Sequence, residues 1–278
     1  MTGTLVLCGT PIGNLGDASP RLAEALASAD LVLAEDTRRA RLLMDHLGVR
    51  ARVESYFAGN EHQRGPLLES RLSDGSTVVL ITDAGMPTVS DPGVSAVRVA
   101  IRIGAKVSVV PGPSASLAAL ASSGLASDRF VFEGFLPRKG AERSERLSHL
   151  AEESRTIVLF SATSRVVADL ESLADALTGD RPVSVARELT KAHEEVWWGT
   201  LDEAIEEWSA RAPRGEFTVV VAGRRSDRPA IAIAVDEVQM RIERGEPMSD
   251  AVRTVADNLS VRRRALYEAI IVAQSDDI

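Results

Sequence analysis

The stretch TVVLITDAGMPTVSDPG, residues 77–93, predicts both a fold and a binding site. Its first five residues are mostly apolar, as in a strand that is buried on both faces of a parallel sheet. The twelve residues that follow contain two aspartates, two prolines and two glycines. An ordinary connection seldom needs so many backbone constraints. We therefore interpret residues 82–93 as a loop that shapes a ligand site at the carboxyl end of a strand.

Three other turns in the first part of the chain follow apolar runs in the same way. The runs at residues 4–8, 30–34 and 106–110 predict strands, and segments with helical spacing of apolar residues separate them. The turns are GTPIGNL (9–15), AEDTR (34–38) and PGPSAS (111–116). Strands that alternate with helices indicate an α/β domain with a parallel sheet. Such sheets bind ligands beyond the carboxyl ends of their strands.

The rest of the chain divides into a second α/β pattern and a helical end. The basic residues 134–146 are interpreted as a mobile link between two lobes, because they have little apolar surface to bury. Residues 235–273 have a helical pattern, with a break at residues 227–229 before it and Ser260 as an N-cap within it. The prediction is an α/β protein with an N-terminal lobe (1–116), a C-terminal lobe (117–225) and a helical, helix-turn-helix-like extension (226–278).

Composition limits the classes of function. The chain has 278 residues, a formal net charge of −8 and 4% aromatic residues. The acidic balance argues against indiscriminate nucleic-acid binding, although a local basic patch could still bind RNA. Scarce aromatic residues argue against an aromatic platform for stacking bases. The single cysteine excludes an internal disulfide, and no apolar run approaches the ~20 residues that span a bilayer. We expect a cytoplasmic protein that does not bind membranes.

Several common chemistries lack their motifs. The four histidines have no metal-ligand spacing, so no metal site is predicted. The first turn is neither a G-x-G-x-x-G dinucleotide fingerprint nor a Walker A loop, which disfavours an NAD-dependent oxidoreductase. Ser114 has no G-x-S-x-G context, so acyl transfer is not predicted.

Seven strings in fixed order over roughly residues 3–223 resemble the tetrapyrrole methylase family. They are GTPIGNL (9–15), AEDTR (34–38), TDAGMPTVSDPG (82–93), PGPSA (111–115), FEGFLPRKG (132–140), ARELTK (186–191) and GEFTVVVAG (215–223). Within the family, the chain is similar to the branch that modifies small-subunit ribosomal RNA. The resemblance implies two α/β lobes with S-adenosylmethionine in the cleft between them. It also implies a homodimer that methylates the ribose 2′-hydroxyl of a cytidine in 16S ribosomal RNA or in the 30S subunit.

The resemblance further implies which positions would contact the methyl donor, mainly through the main chain and small side chains. In the first lobe these are Pro11, Asp83, Ala84, Gly85, Met86, Ser114 and Ala115. In the second lobe they are Phe160, Ser161, Leu189, Val221 and Ala222.

A ribose hydroxyl is a poor nucleophile, so the transfer requires that it be aligned and that its proton be removed. The candidates for that base are Glu35, Asp36, Asp83, Glu188 and Lys191. We rank Asp36 and Lys191 first, because their two motifs should face each other across the cleft; Lys191 would need a lowered pKa. Two other interpretations stay open. One is a salt bridge between the lobes, and the other is a helix cap at Asp36 or Thr37 with Arg38 in solvent.

Three basic runs are candidates for RNA binding, although each could be ordinary solvated surface. Their residues are Arg38, Arg39, Arg138, Lys139, Arg143, Arg262, Arg263 and Arg264. Two alternative functions stay open. One is a methylase of a corrinoid, a tetrapyrrole or another small molecule, and the other is a non-catalytic ribosome-binding protein with no affinity for the donor.

Overall fold

The computed structural model describes residues 2–211, 213–224, 230–259 and 261–275. The chain divides into two compact units, Met1–Arg224 and Arg225–Ile278. The first unit contains two separate five-stranded sheets. The break predicted at residues 227–229 and the N-cap predicted at Ser260 lie outside the described residues.

The first sheet and its helices form the N-terminal lobe. Its elements in chain order are β1 (Thr4–Cys8), α1 (Pro20–Ala27), β2 (Leu31–Ala34), α2 (Thr37–Leu47), β3 (Val53–Ser55), α3 (Glu61–Ser73), β4 (Thr77–Ile81), α4 (Val94–Arg102) and β5 (Lys106–Val110). The strand order is β3-β2-β4-β1-β5 and every pair is parallel. The parallel α/β fold predicted from the apolar runs is confirmed.

Helices cover both faces of this sheet, which explains why its central strands β1, β2 and β4 are mostly apolar. Leu5 and Leu80 belong to a core that includes α3 and α4, whereas Cys8 and Ile81 belong to a core that includes α1 and α2. Three elements of this lobe, β3, α3 and α4, were not predicted from the sequence. Strand β3 is only three residues long and partly exposed, and Pro66 lies inside α3, so neither shows a clear periodic pattern.

The second sheet forms the C-terminal lobe and is mixed. Its elements are α5 (Ala115–Ser122), β6 (Phe130–Phe135), α6 (Ala141–Glu152), β7 (Thr156–Ser161), α7 (Val166–Leu177), β8 (Pro182–Arg187), β9 (Glu195–Thr200), α8 (Leu201–Ala210) and β10 (Phe217–Val221). The strand order is β6-β7-β10-β8-β9. Only β6 and β7 are parallel, because β10 runs antiparallel to both of its neighbours and β8 pairs antiparallel with β9.

The prediction of a mobile link at residues 134–146 is wrong. This segment contains the end of β6, a short loop and the first half of α6, all within the C-terminal lobe. Leu136 and Leu150 are buried in the core of that lobe, on either side of the basic residues. These two apolar anchors hold a segment whose own composition is mostly polar.

The second compact unit consists of three helices, α9 (Ala230–Glu243), α10 (Met248–Asn258) and α11 (Arg263–Ser275). They share a small apolar core that includes Val238, Val252 and Leu266. The helical pattern predicted for this region is confirmed. None of the helices in the described part of the chain is both long and apolar enough to cross a membrane.

Candidate active site

A cavity of 410 Å³ lies between the two lobes of the first unit. The first, third and fourth turns of the N-terminal lobe form one wall. The other wall comes from the C-terminal lobe. The lining residues are Ile12, Ala84, Gly85, Met86, Val89, Ser90, Asp91, Ser114, Ala115, Ser116, Phe135, Phe160, Ser161, Ala162, Thr163, Ala186, Leu189, Gly215, Glu216, Phe217 and Thr218.

Backbone contacts join the turns of the N-terminal wall. Thr10 and Gly85 form an antiparallel bridge, with N–H to carbonyl distances of 2.9 and 3.1 Å in the two directions. A Cβ atom at Gly9 would lie 2.7 Å from the Cα and N atoms of Gly112, so the first and fourth turns touch main chain to main chain. Only glycine permits this approach. The wall therefore presents main-chain groups and small side chains to the cavity.

The C-terminal wall is built where three strands meet the cleft. Strand β7 supplies Phe160 and Ser161 at its carboxyl end, and Ala186 lies near the carboxyl end of β8. Strand β10 supplies Phe217 and Thr218 at its amino end, since it runs antiparallel to β7. Residues at the amino end of β10 therefore line the cavity, whereas β7 and β8 line it with residues at their carboxyl ends.

The direction of β10 corrects the expectation for Val221 and Ala222. Val221 pairs with Ile157 and Val183, which lie near the beginnings of β7 and β8, at the opposite end of the sheet from the cavity. Val221 lies four positions after Phe217 along the strand, a distance of ~13 Å. Neither Val221 nor Ala222 lines the cavity.

The other predicted donor contacts fall into two groups. Eight of them line the cavity, namely Ala84, Gly85, Met86, Ser114, Ala115, Phe160, Ser161 and Leu189. Pro11 is buried beside the cavity residue Ile12 but is not part of the lining. Asp83 also lies outside the lining.

Asp83 and the second turn form a separate polar cluster. The N–H of Asp36 donates to Oδ1 of Asp83 at 3.0 Å, and the N–H of Asp83 donates to Oε2 of Glu35 at 3.3 Å. Arg39 lies 3.5 Å from Oδ2 of Asp83. These bonds fix the second turn against the third.

Asp36 is the N-cap of α2, and its Oδ1 accepts from the N–H of Arg38 at 2.8 Å. Its side chain also pairs with the Arg38 guanidinium, which is exposed. These hydrogen bonds from Arg38 hold the pKa of Asp36 well below its usual range. The helix-cap interpretation fits this geometry, and a carboxylate so strongly stabilised in its charged form is a poor base.

Lys191 forms ion pairs that do not suit the role of a base. Its Nζ donates to Oε1 of Glu188 and to Oε2 of Glu216, both at 2.8 Å. Burial acts to lower the pKa of Lys191, but the hydrogen bonds and charges of the two glutamates outweigh it and raise that pKa. The hydrogen bond from Lys191 in turn lowers the pKa of Glu188. This contradicts the lowered pKa that a base at Lys191 would need.

No salt bridge joins Asp36 and Lys191 in the described part of the chain. Instead, the stem of Lys191 crosses the first turn at Gly13, where a Cβ atom would clash with Cγ of Lys191. The two lobes therefore meet at the ARELTK string through this packing contact.

Two carboxylic acids of the described chain line the cavity, Asp91 and Glu216. Glu216 is paired with Lys191, whereas Asp91 was not among the bases predicted from the sequence. Burial, and secondarily the negative charge of Glu35, raise the pKa of Asp91 to about 6. No lysine or arginine of the described residues pairs with it. A base whose pKa lies near the working pH is well matched to proton abstraction. Its sequence signal was the second aspartate of the third turn, which Pro92 and Gly93 follow.

Backbone strain is concentrated in the loops that close the cleft. Of the five non-glycine residues with positive φ in the described chain, Thr88 and Ser90 lie in the third turn, with φ of 76° and 63°. Glu188 and Thr190 lie in the ARELTK string, with φ of 51° and 66°. Such conformations persist only where surrounding contacts impose them, and they cluster at functional sites.

The predicted RNA-binding residues are not equivalent. Arg38, Arg39, Arg138 and Lys139 are exposed in the first unit, and Arg262, Arg263 and Arg264 are exposed in the second. Arg143 is a correction, since only 12% of its side chain is exposed and it pairs with buried Asp169 at 2.9 Å. Asp169 also accepts a hydrogen bond of 2.6 Å from Ser161 in the cavity wall. Arg143 is thus a structural cation of the C-terminal lobe.

The arrangement of two lobes around one cavity agrees with comparisons to known proteins. The sequence model of the tetrapyrrole (corrin/porphyrin) methylases matches residues 4–205. The chain belongs to the tetrapyrrole methylase family. Among solved structures, the methyltransferase CobJ has a TM-score of 0.60, with 21% identity, over 82% of this chain and 97% of that one. That likeness confirms the fold.

Relatives of nearly the same length are named ribosomal RNA small subunit methyltransferase I. The protein from Synechocystis is 42% identical, with 99% of each chain covered. The protein from Mycobacterium tuberculosis is 44% identical, covering 99% of this chain and 97% of that one. This member of the tetrapyrrole methylase family is therefore similar to them over its whole length, including the three-helix unit. A uroporphyrin-III C-methyltransferase from Thermus thermophilus, solved with S-adenosylhomocysteine, has a TM-score of 0.57 at 20% identity, over 78% of this chain and 96% of that one.

Proposed function

We propose that the protein transfers a methyl group from S-adenosylmethionine to the ribose 2′-hydroxyl of a cytidine in small-subunit ribosomal RNA. The observation that carries this proposal is the interlobe cavity with Asp91 in its wall, a carboxylic acid of raised pKa that forms no ion pair with the described residues. The names of the relatives support the RNA substrate. The ribose position and the cytidine rest on the family resemblance.

The cavity fits the proposed donor. Its 410 Å³ lies within the range of pockets that hold small ligands. Gly85, with φ of 80°, and the small residues Ala84 and Ala115 let main-chain groups approach a ligand closely. Phe160 supplies an apolar aromatic surface, and the Asp91 carboxylate supplies negative charge for a cationic sulfonium.

Residues of both lobes would align the 2′-hydroxyl and remove its proton. S-adenosylmethionine, when bound, supplies the activated methyl group. Asp91 would accept the proton of the 2′-hydroxyl, since a carboxylate with pKa of about 6 is mostly ionised at neutral pH. The fixed loops of both lobes would hold the hydroxyl in line with the methyl group. Glu35, Asp36 and Asp83 would keep the third turn in place, because they join it to the second turn.

Two exposed basic surfaces are proposed to bind the RNA. Arg138 and Lys139 follow β6 at the cavity, and Arg262–Arg264 lie at the start of α11. Arginines at a helix N-terminus oppose the helix dipole, although Arg263 and Arg264 are paired with Asp257 and Glu268. A local cost of this kind is typical of positions selected for binding. The resemblance also supports a homodimer and, through the ribosomal substrate, a cytoplasmic protein.

The decisive experiment is a methyl-transfer assay with labelled donor on 30S subunits that lack the modification, on free 16S RNA and on a tetrapyrrole precursor. We expect label in RNA at one cytidine, in a bond that resists alkaline hydrolysis because the 2′-oxygen is blocked. Label in the tetrapyrrole alone would establish the small-molecule alternative. Absence of donor binding in calorimetry would establish the non-catalytic alternative.

A further inference from the structure

We propose that Phe135 is the stacking platform for the base of the target nucleotide at the mouth of the cavity. The inference rests on the proposed function and adds a base-binding subsite to it. Phe135 lines the cavity, yet 58% of the residue is exposed, which is unusual for an aromatic residue at the end of a strand. Its outer ring face is therefore available to a flat ligand.

A β-bulge sets the position of this ring. The register of β6 against β7 shifts between Phe132, which pairs with Val158, and Gly134, which pairs with Leu159. The extra residue places Phe135 opposite Phe160, and Gly134 has a φ of 63° that suits the bend. Bulges next to active sites often re-aim a side chain. Without the bulge, Gly134 would stand opposite Phe160 and the cavity would lose this ring.

Other aromatic rings support Phe135 from behind. Its ring centroid lies 5.6 Å from that of Phe160, at an interplanar angle of 57°. Phe160 in turn meets Phe132 edge to face, with centroids 5.0 Å apart. Packing between aromatic rings at these distances is favourable and restrains ring motion. The exposed ring is thus held in place before any ligand binds.

The loop after Phe135 favours a nucleotide over another flat ligand. Arg138 and Lys139 are exposed three and four residues further on and could pair with a phosphate. The backbone of this loop is fixed, because Arg143 donates to the carbonyl of Pro137 at 2.9 Å and Arg165 donates to that of Arg138 at 3.1 Å. Aromatic stacking with exposed cations alongside is how proteins bind unpaired bases.

The position of Asp91 completes this arrangement. Asp91 and Phe135 line the same cavity from opposite lobes. A nucleotide whose base stacks on Phe135 and whose phosphate meets Arg138 or Lys139 would present its ribose between them, on the side of Asp91. The target base must then leave its helix or lie in a single strand, as in other enzymes that act on one nucleotide. A single ring serves this purpose, although scarce aromatic residues had argued against stacking.

The test compares Phe135→Leu, which keeps an apolar side chain, with Phe135→Trp, which keeps a stacking surface. We expect Phe135→Leu to lower kcat/KM for RNA about ten-fold and Phe135→Trp to stay within three-fold of wild type. Affinity for S-adenosylhomocysteine, measured by calorimetry, should change less than two-fold in both. Phe57→Leu is the matched control, since Phe57 is exposed but does not line the interlobe cavity.

A substrate that lacks the target base gives a readout that a structural role for Phe135 would not change. In the wild type, the abasic RNA should lose about as much kcat/KM as Phe135→Leu loses with normal RNA. The two losses should not add, because each removes the same stacking contact. Additive losses, or weaker S-adenosylhomocysteine binding in Phe135→Leu, would overturn the proposal and assign the ring to the donor or to the fold. If the proposed function itself were wrong, the wild type would methylate no RNA, and this result differs from every outcome expected for the Phe135 variants.

Discussion

Asp91 in the N-terminal lobe and the acids behind the C-terminal wall of the cleft are in opposite states. In the N-terminal lobe, Asp91 lies in the cavity wall with no lysine or arginine partner among the described residues, and its pKa is raised. In the C-terminal lobe, Asp169 is paired with two arginines and Glu188 with Lys191. An unpaired carboxylate can take up a proton, whereas a paired one orders its surroundings. The difference indicates that Asp91 is suited to proton transfer, whereas Asp169 and Glu188 stabilise the C-terminal side of the cleft.

Replacement of Asp91 should have the largest effect. We expect Asp91→Asn to lower kcat by a factor of about 10²–10⁴, which is the usual contribution of a general base. The wild-type rate should fall as the pH drops through about 6, because Asp91 becomes protonated. The low rate of the variant should lack this acidic limb. Single-turnover rates between pH 5 and 8 provide the measurement, and exposed Asp45→Asn is the control.

The same variant should be more stable than the wild type at high pH. The folded pKa of Asp91 is about 6 and its ordinary value is 3.8, so the wild type loses stability as the pH rises through that interval. The loss is complete above pH 6 and absent below pH 3.8. Because Asp91 is partly exposed, we expect a gain of only about 1 kcal/mol for Asp91→Asn at pH 8, shrinking at pH 5. Equal denaturation midpoints at both pH values would contradict the raised pKa.

Substitution of Asp169 tests whether the paired acids stabilise the C-terminal lobe. Asp169→Asn should reduce the free energy of unfolding by about 3 kcal/mol, since it leaves Arg143 and Arg165 without their buried counter-charge. Asp175→Asn, at an exposed position of the same helix α7, should change it by less than about 0.5 kcal/mol. Urea denaturation measures both. If the two variants were equally stable, the paired acids of the C-terminal lobe would not be its structural support.

Strand direction explains which parts of this site could be predicted from sequence. In the N-terminal lobe all strands are parallel, so the four turns that follow apolar runs were expected at one edge of the sheet. Three of these four, the first, third and fourth, line the cavity. In the C-terminal lobe, sequence does not reveal that β10 is antiparallel. Val221 and Ala222 were therefore expected where Phe217 and Thr218 lie.

Burial and pairing of charges were the least predictable features. The sequence contains many acids near the turns. Only the three-dimensional contacts distinguish Asp36, which pairs with Arg38, from Asp91, which pairs with no cation in the described part of the chain. Arg143 likewise resembles its exposed neighbours in sequence. Its burial depends on Asp169, 26 residues away in the chain.

Two substitutions, one near the beginning of β10 and one directly after its end, test whether strand direction decides which residues contact the donor. Thr218→Leu should weaken S-adenosylhomocysteine binding about ten-fold, because it adds bulk to a buried position of the cavity wall. Ala222→Val, at the other end of the same strand, should change it less than two-fold. Calorimetry measures both affinities, and thermal melting checks that both variants fold. The reverse order of effects would restore the original expectation for Ala222.

The smallest effects concern the basic residues, where the contrast lies within a single lobe. Arg138→Gln and Lys139→Gln should each weaken RNA binding a few-fold and reduce the slope of log K against log salt concentration by about 1, because each removes one exposed cation from a phosphate. Arg143→Gln should leave that slope unchanged and should instead lower the free energy of unfolding, because Arg143 is paired with buried Asp169. Filter binding at several salt concentrations, together with urea denaturation, separates the two classes. A reduced salt slope for Arg143→Gln with unchanged stability would mean that this arginine leaves Asp169 to reach RNA, and the C-terminal wall would then not be rigid.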